Sequence, residues 1–389
     1  MSNTAFANIS TTKHSIRNII GFGLAEGYSI ALWKLPNQNN INLLLSSRAK
    51  LIDDLTIEEC APGFAFAPFD NAKAKLFFEA DHLFEISNKG VAEKTNKQLL
   101  DIIEKSQNNS KLQFHKSSTQ IIPEPEDTYI NLVKDCINAI EAGAFEKVVP
   151  SKQHALAVSD SFDMLDGFEK LTKKYPLAMV SLISDSTIGT WMGATPELLV
   201  STDKKGIFRT VALAGTQSYL ENISLKNISW TQKEIEEQAL VERYIISCFK
   251  KIRVREYEEH GPKTVQAGNL LHLRSDFEVD MKEVNYPQLG SVMLKLLHPT
   301  SAVCGMPLES SFKFLQENEN YNREFYSGFL GPVNIDHESY LFVNLRCLKW
   351  CGDKIILYAG AGVTIDSIPE QEEKEVQLKF ETIRTALEI

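Results

Sequence analysis

The feature that most restricts the fold is the order in which hydrophobic periodicities change along the last two-thirds of the chain. One helix-period segment, TYINLVKDCINAIEAG, carries Ile130, Val133, Ile137 and Ile140 on a stripe and ends at a glycine. Strand-like pieces then follow in FEKVVPSKQHALAV, AMVSLI, TIGTWMG, ELLVST and IFRTVALAG. TQKEIEEQALVERYIISCFKKI reads as a long helix with a broad apolar side that includes Ile235, Leu240, Ile245 and Phe249. YPQLGSVMLKLL is a further helix, followed by the loop HPTSAVCGMP. FLGPVNI, SYLFVNLRCLKW and DKIILYAGAGVT have strand character, and EQEEKEVQLKFETIRTALEI closes the chain as a helix. Regular strand-helix alternation is missing, which disfavours a dinucleotide-binding or barrel fold. The expectation is an α/β chain of α+β type: layers of mixed, largely antiparallel sheet with helices packed outside.

Up to about residue 125, the pieces YSIALWKL, INLLLSS and GFAFAPF suggest strands and turns. Residues 96–127 look like a helix and then an exposed connection. With 389 residues and 43% hydrophobic composition, the chain can bury one large core or two ordinary ones. A formal net charge of -10 argues against nucleic acid or an anionic membrane as partner. The start lacks a secretory pattern and no apolar run reaches spanning length, so a cytoplasmic location is expected. The six cysteines, without a CxxC pair, read as reduced thiols.

Candidate chemistry gathers in the second part of the chain. On the last helix, Glu372, Glu375 and Lys379 are spaced by three and four and project from one face. Glu234 and Glu237 repeat the theme on the earlier helix. Two such faces brought together offer four carboxylates to a hard cation, whereas each run alone is solvated helix surface. AGAGVT places Gly360 and Gly362 at the end of an apolar strand, where backbone amides can approach an anion. LAGT, from Leu213 through Ala214 and Gly215 to Thr216, reads as a second small-residue turn after a strand. Lys147 beside Val148 and Val149 is either a buried base or an exposed edge lysine. Glu197 precedes an apolar run, where a partly buried acid can stay protonated and donate to a leaving oxygen. Arg346, inside an alternating strand, needs either an internal acid or a substrate carboxylate. His298 either donates to a substrate carboxylate or caps local structure, and Tyr326 is either a ligand contact or a core aromatic. Histidine spacing offers no zinc pattern.

Taken in order, KVVPSK, TPELLV, LAGT, KEIEEQ, HPTSAVCGMP, FYSGFLG, NLRC, AGAG and PEQEEKEVQLK resemble the chorismate-utilising enzymes, a family of isochorismate, salicylate, anthranilate and aminodeoxychorismate synthases. The likeness covers roughly residues 125–389. It implies one chorismate-binding sandwich over residues 1–389, with a variable portion at 1–125 and a motif-bearing portion at 126–389. It implies Mg²⁺ on Glu237 and Glu375, with Glu234 and Glu372 close by, holding the ring carboxylate of chorismate. Arg346, Tyr326 and the amide around Gly360 would take the enolpyruvyl carboxylate. Lys379 and the LAGT segment would support binding near the metal, and His298 would lie against the ring carboxylate.

Within the family, lysine at position 147 implies water attack at C2, with Glu197 protonating the departing C4 hydroxyl to give isochorismate. No obligate protein partner is then expected. Salicylate synthase, which also eliminates pyruvate, remains a rival. So do the aminating enzymes, which use ammonia and a glutaminase partner, and a noncatalytic chorismate-binding protein. The chain departs from the family at Gln238, where histidine is usual, at Lys152, where arginine is common, and at Val376, where threonine is common. Menaquinone and siderophore pathways both consume the expected product.

Overall fold

In the computed structural model, the described residues are 16–95, 99–100, 103, 112–119, 127–219, 225, 228–267 and 270–389. The expected helix and connection at 96–127 lie largely outside them. Two nine-stranded sheets dominate. The first runs in the order β7 (Gly90–Glu93), β6 (His82–Ser87), β2 (Ile41–Ser46), β1 (Ser29–Lys34), β10 (Met179–Asp185), β11 (Gly189–Thr195), β19 (Cys347–Trp350), β20 (Lys354–Gly360) and β9 (Ser151–Ala157). The second runs β14 (Glu258–Ala267), β15 (Leu270–Asp280), β13 (Ile207–Ser218), β12 (Leu198–Thr202), β18 (Ser339–Val343), β17 (Phe329–Val333), β4 (Gly63–Ala67), β5 (Lys75–Glu79) and β3 (Ala49–Ile52). A small ladder joins β8 (Lys147–Val148) to β16 (Gly305–Met306). Every ladder between described strands is antiparallel. Strands from the first third sit inside both sheets, with β1 against β10 and β4 against β17.

The sheets face each other across an apolar layer that includes Trp33, Phe64, Phe66, Trp191, Tyr326 and Tyr358. Outside the first sheet lie the helices Thr128–Glu141, Met164–Lys174 and Pro369–Leu387. Outside the second lie Gln232–Lys251 and Leu289–Leu297. The result is a helix–sheet–sheet–helix stack, the layered α+β arrangement that the strand clustering implied.

Local chemistry explains the helix starts. The Asp163 carboxylate accepts from the amides of Leu165 and Asp166, and Thr231 with Glu234 forms a capping box. Pro369 opens the last helix, where its missing N–H costs nothing.

Several elements depart from expectation. The Met164–Lys174 and Leu308–Asn318 helices and the long β14–β15 hairpin arise in segments given no assignment from sequence. Residues 16–25 are helical rather than strand or turn. The 128–141 helix buries Tyr129, Leu132, Val133 and Cys136, so its inward face is rotated from the expected isoleucine stripe. The C-terminal helix it packs on, and the apolar core it shares with that helix and the first sheet, decide that rotation where periodicity alone offers two adjacent faces. All six cysteines are free.

Phe66 is fully buried, stacked on Phe325 at 4.2 Å between centroids and edge-on to Trp191 at 6.1 Å. Phe66→Ala leaves a cavity between two sheets that cannot collapse around it, and should lower stability by about 3–5 kcal/mol in urea denaturation.

Candidate active site

Two strand-to-strand passages between the sheets build one wall of the site. Between β11 and β12 the chain leaves the first sheet for the second through Pro196 and Glu197. Between β18 and β19 it returns through Asn344, Leu345 and Arg346. The passages brace each other: the Val343 amide donates to the Glu197 carbonyl at 3.0 Å, and the Ala194 amide donates to the Arg346 carbonyl at 3.1 Å. SYLFVNLRCLKW is therefore two strands in different sheets, not one alternating strand. Arg346 sits at the corner with φ of 47°, a conformation a non-glycine residue holds only when its surroundings fix it.

Glu197 is 5% exposed. Burial pushes its carboxyl up to about 7, although the charges of Lys147, Arg346 and Lys379 pull the other way. Burial pushes Arg346 down to about 10 against the opposing influence of Tyr175 and Glu197. Arg346 Nη2 donates to His272 Nε2 at 2.6 Å, while His272 Nδ1 donates to the Gly215 carbonyl at 2.8 Å. An imidazole that accepts on one nitrogen and donates from the other is neutral, and burial and the Arg346 charge hold His272 well below its ordinary range.

The LAGT segment lies within β13 rather than after it. The β13–β15 register shifts between Ala214 and Gln217, and Gly215 takes φ of +63°, so the expected turn is a β-bulge in a continuing strand. A Cβ on Gly215 would stand 3.1 Å from Glu234 Cβ, so the glycine also admits the first turn of the neighbouring helix. Gln238 is buried beneath the bulge: its Oε1 accepts from the Ala214 amide at 3.0 Å and its Nε2 donates to Glu242 at 3.0 Å. That amide supports the bulge from the position where the resemblance leads one to expect histidine. Lys152 pairs with Glu373 at 3.0 Å, and Val376 is fully buried in the core beside the first sheet.

The opposite wall comes from the two acidic helices. Lys147 Nζ, 0% exposed, donates to Glu237 Oε1 at 2.9 Å, which resolves its two readings in favour of burial. This pair passes directly over Gly362, where a Cβ would meet Glu237 Oε1 at 2.5 Å and Lys147 Cε at 3.1 Å. Glu375 pairs with Lys379 at 2.8 Å, and Lys379 Nζ also donates to the Gly360 carbonyl at 2.7 Å. Glu372, 1% exposed, pairs through Oε1 with Lys233, and its Oε2 is buried without a hydrogen-bond partner. Burial raises the Glu372 pKa and the Glu375 charge adds to the rise, while Lys233 opposes it. Glu234 is committed to the Thr231 amide and hydroxyl at the helix start.

Among the described residues no group of three or more His, Cys, Asp or Glu stands at metal-holding spacing. The donor chemistry nonetheless suits a hard divalent cation: carboxylate oxygens, one of them buried and unpartnered, on two adjacent helix faces.

Together these elements line a single partly open cavity. It is lined by Glu197, Leu213, Ala214, Gly215, Thr216, Glu237, Tyr326, Arg346, Gly360, Gly362, Glu375 and Lys379 among the residues singled out from sequence. Lys147, Glu234 and Glu372 lie behind this lining. His298 is brought elsewhere: its Nε2 meets the Pro68 carbonyl at 2.9 Å, its ring stands edge-on to Phe329, and burial lowers it to about 4. The cavity's histidine is His272, with Tyr358 stacked on Tyr326 at 5.4 Å between centroids. Neither was legible from sequence, because LLHLRSD and IILYAG are apolar strand runs in which one polar side chain has no marked spacing.

The model of the family described as chorismate binding enzyme matches residues 72–388. The chain belongs to this family. It is 30% identical over 202 residues to the vibriobactin-specific isochorismate synthase of Vibrio cholerae serotype O1, a match covering 50% of this chain and spanning 50% of that relative. It is 25% identical over 269 residues to isochorismate synthase EntC of Escherichia coli K12, covering 68% of each chain. The structure of MenF, the menaquinone-specific isochorismate synthase from Escherichia coli, superposes with a TM-score of 0.75 at 20% identity, covering 95% of this chain and 91% of that one, which shows the shared fold. Among the described residues no helix is long and apolar enough to cross a membrane.

The buried Glu197 carboxyl carries a protein-stability signature. A carboxyl near 7 in the folded chorismate-binding protein and at its ordinary 4.5 in the unfolded chain makes folding take up a proton between those values. Wild type is therefore penalised as pH rises through that window, and Glu197→Gln, which cannot ionise, is not. Urea denaturation from pH 4 to 9 should show the variant gaining on wild type across the window and keeping a lead of roughly 3 kcal/mol above it.

Proposed function

We propose that this chorismate-binding enzyme converts chorismate to isochorismate, reversibly and with Mg²⁺. The observation that carries the reading is Glu197, a buried carboxyl poised near neutrality at the cavity wall, set against the buried lysine Lys147 and the buried guanidinium Arg346. The isochorismate synthases among its relatives support the same reaction.

In the proposed mechanism, Lys147 first releases to solvent the proton it holds in its pair with Glu237, and its neutral amine then takes a proton from a water that adds to C2 of the ring. Glu197 gives its proton to the C4 hydroxyl, which leaves as water while the double bonds shift. One water enters and one departs, so the net change is a transposed hydroxyl. A carboxyl near 7 suits the donor, because it holds its proton at working pH and yields it without a large penalty. Arg346, held in a neutral imidazole's grip by His272, is oriented to take the enolpyruvyl carboxylate together with Tyr326 and the backbone at Gly360. Its corner position fixes the guanidinium before ligand arrives, which limits the ordering cost of binding. Leu213, Ala214 and Thr216 of the bulge and Lys379 line the remaining side, near the acidic helices.

Glu237, Glu372 and Glu375 are the residues that would hold Mg²⁺, with Glu234 close by at the helix start. Bound there, the ion would supply positive charge for the ring carboxylate, in an acidic protein that must accept a dianion.

Purified protein incubated with chorismate and Mg²⁺ should yield isochorismate without stoichiometric pyruvate, read by chromatography of all products. Lys147→Ala and Glu197→Gln should each lower kcat by about 10²–10⁴-fold. Salicylate and pyruvate as products would replace the reading with a lyase, and absence of turnover would overturn it. Because Glu197 must be protonated to act, kcat/KM should fall as pH rises above about 7, and this alkaline limb should move in Glu197→Asp.

A further inference from the structure

Lys233 has no role in the mechanism above, yet it stands at its electrostatic centre. It lies in the first turn of the Gln232–Lys251 helix, where the partial positive charge of the helix end disfavours a cation. What holds it there is the acidic cluster. Its ammonium binds Glu372 Oε1, and the charges of Glu372, Glu375 and Glu237 all act on it. The three carboxylates have three lysines, but those lysines are not equivalent. Lys147 is fully buried on β8, and Lys379 is tied to the Gly360 carbonyl as well as to Glu375. Lys233 has a side chain 25% exposed on a long flexible stem, so it can leave the cluster for solvent without breaking backbone structure.

We propose that Lys233 is an internal surrogate cation, which neutralises the carboxylates of the metal-free site and must swing out when a divalent cation binds. The inference rests on the reading that Glu237, Glu372 and Glu375 hold the metal. With Lys233 in place, the three lysines already balance the three carboxylates, and a divalent ion would enter a neutral cluster. With it withdrawn, the cluster regains a net negative charge and Glu372 Oε1 is released beside the unpartnered Oε2, giving both oxygens of one carboxylate to the ion. The exchange also has a use in the resting protein, since without Lys233 three carboxylates in a largely buried site would share only two lysines.

The test uses metal binding, not turnover. Mn²⁺ titrated into metal-free wild type and Lys233→Met, followed by electron paramagnetic resonance, should show Kd lowered by about tenfold or more in the variant, the scale of one charged hydrogen bond removed from competition. In wild type alone, acetylation mapped by mass spectrometry should show Lys233 protected without metal and labelled once Mg²⁺ is added, while Lys147 stays protected throughout. Equal or weaker Mn²⁺ binding by a folded Lys233→Met, or a Lys233 whose labelling does not respond to Mg²⁺, overturns the exchange. If the variant does not fold, the wild-type labelling decides. Absence of Mn²⁺ and Mg²⁺ binding to wild type overturns the metal reading, and the exchange with it.

Discussion

A fully buried ammonium group cannot stand without a counter-charge, and the pairing of Lys147 with Glu237 is the constraint on which the site's arrangement depends. It joins three parts of the chain that are far apart in sequence: the short β8 strand, the Gln232–Lys251 helix and the glycine segment after β20. The pair can form only because Gly362 has no side chain, since a single carbon there would collide with both partners. The β8 strand is itself held on two sides, by β16 and by an isolated bridge from Val148 to Val363. Removing one partner of such a pair leaves a buried charge alone, at a cost of about 3–5 kcal/mol, so the glycine, the lysine and the glutamate act as one unit.

The same logic explains why the polar groups gather where the chain changes sheet. Within a strand of the sandwich, an inward side chain meets the apolar layer of Trp33, Phe66 and Trp191. At Pro196–Glu197 and Asn344–Arg346 the regular ladder stops, and a charged side chain can face the end of that layer while its own backbone is satisfied by the other passage. Low polarity around these groups moves Glu197 up and Arg346 down, toward values at which proton exchange near neutrality is practical for the acid. His272 completes the arrangement as a neutral relay between the bulge carbonyl and the guanidinium.

Much of this was readable from residue type and spacing. The layered α+β class followed from strand pieces arriving in clusters, and the acidic helix faces followed from spacings of three and four. The failures have specific causes. LAGT looked like a turn because small residues mark turns, but the ladder continues past a bulge once β15 is present to pair with it. SYLFVNLRCLKW looked like one strand because its alternation survives the corner at Arg346, whose positive φ carries no sequence mark. His298 was favoured by its loop, while His272 was hidden in an apolar strand. Glu234 was read from sequence as a carboxylate near the metal, and in this structure it serves the helix start instead.

By itself the sequence determined what each segment is able to do. Periodicity chose helix or strand, net charge of -10 set the demand for compensating cations around an anionic ligand, and glycines at 215, 360 and 362 permitted close approach. The tertiary structure alone decided which charges meet. Whether Lys147 is buried, which histidine reaches Arg346, and which lysines answer Glu237 and Glu372 all depend on contacts between residues about 70 to 140 positions apart. A hydrogen-bonded ion pair forms only when its partners come within about 3–4 Å of each other, and no local pattern along the chain encodes distances of that kind.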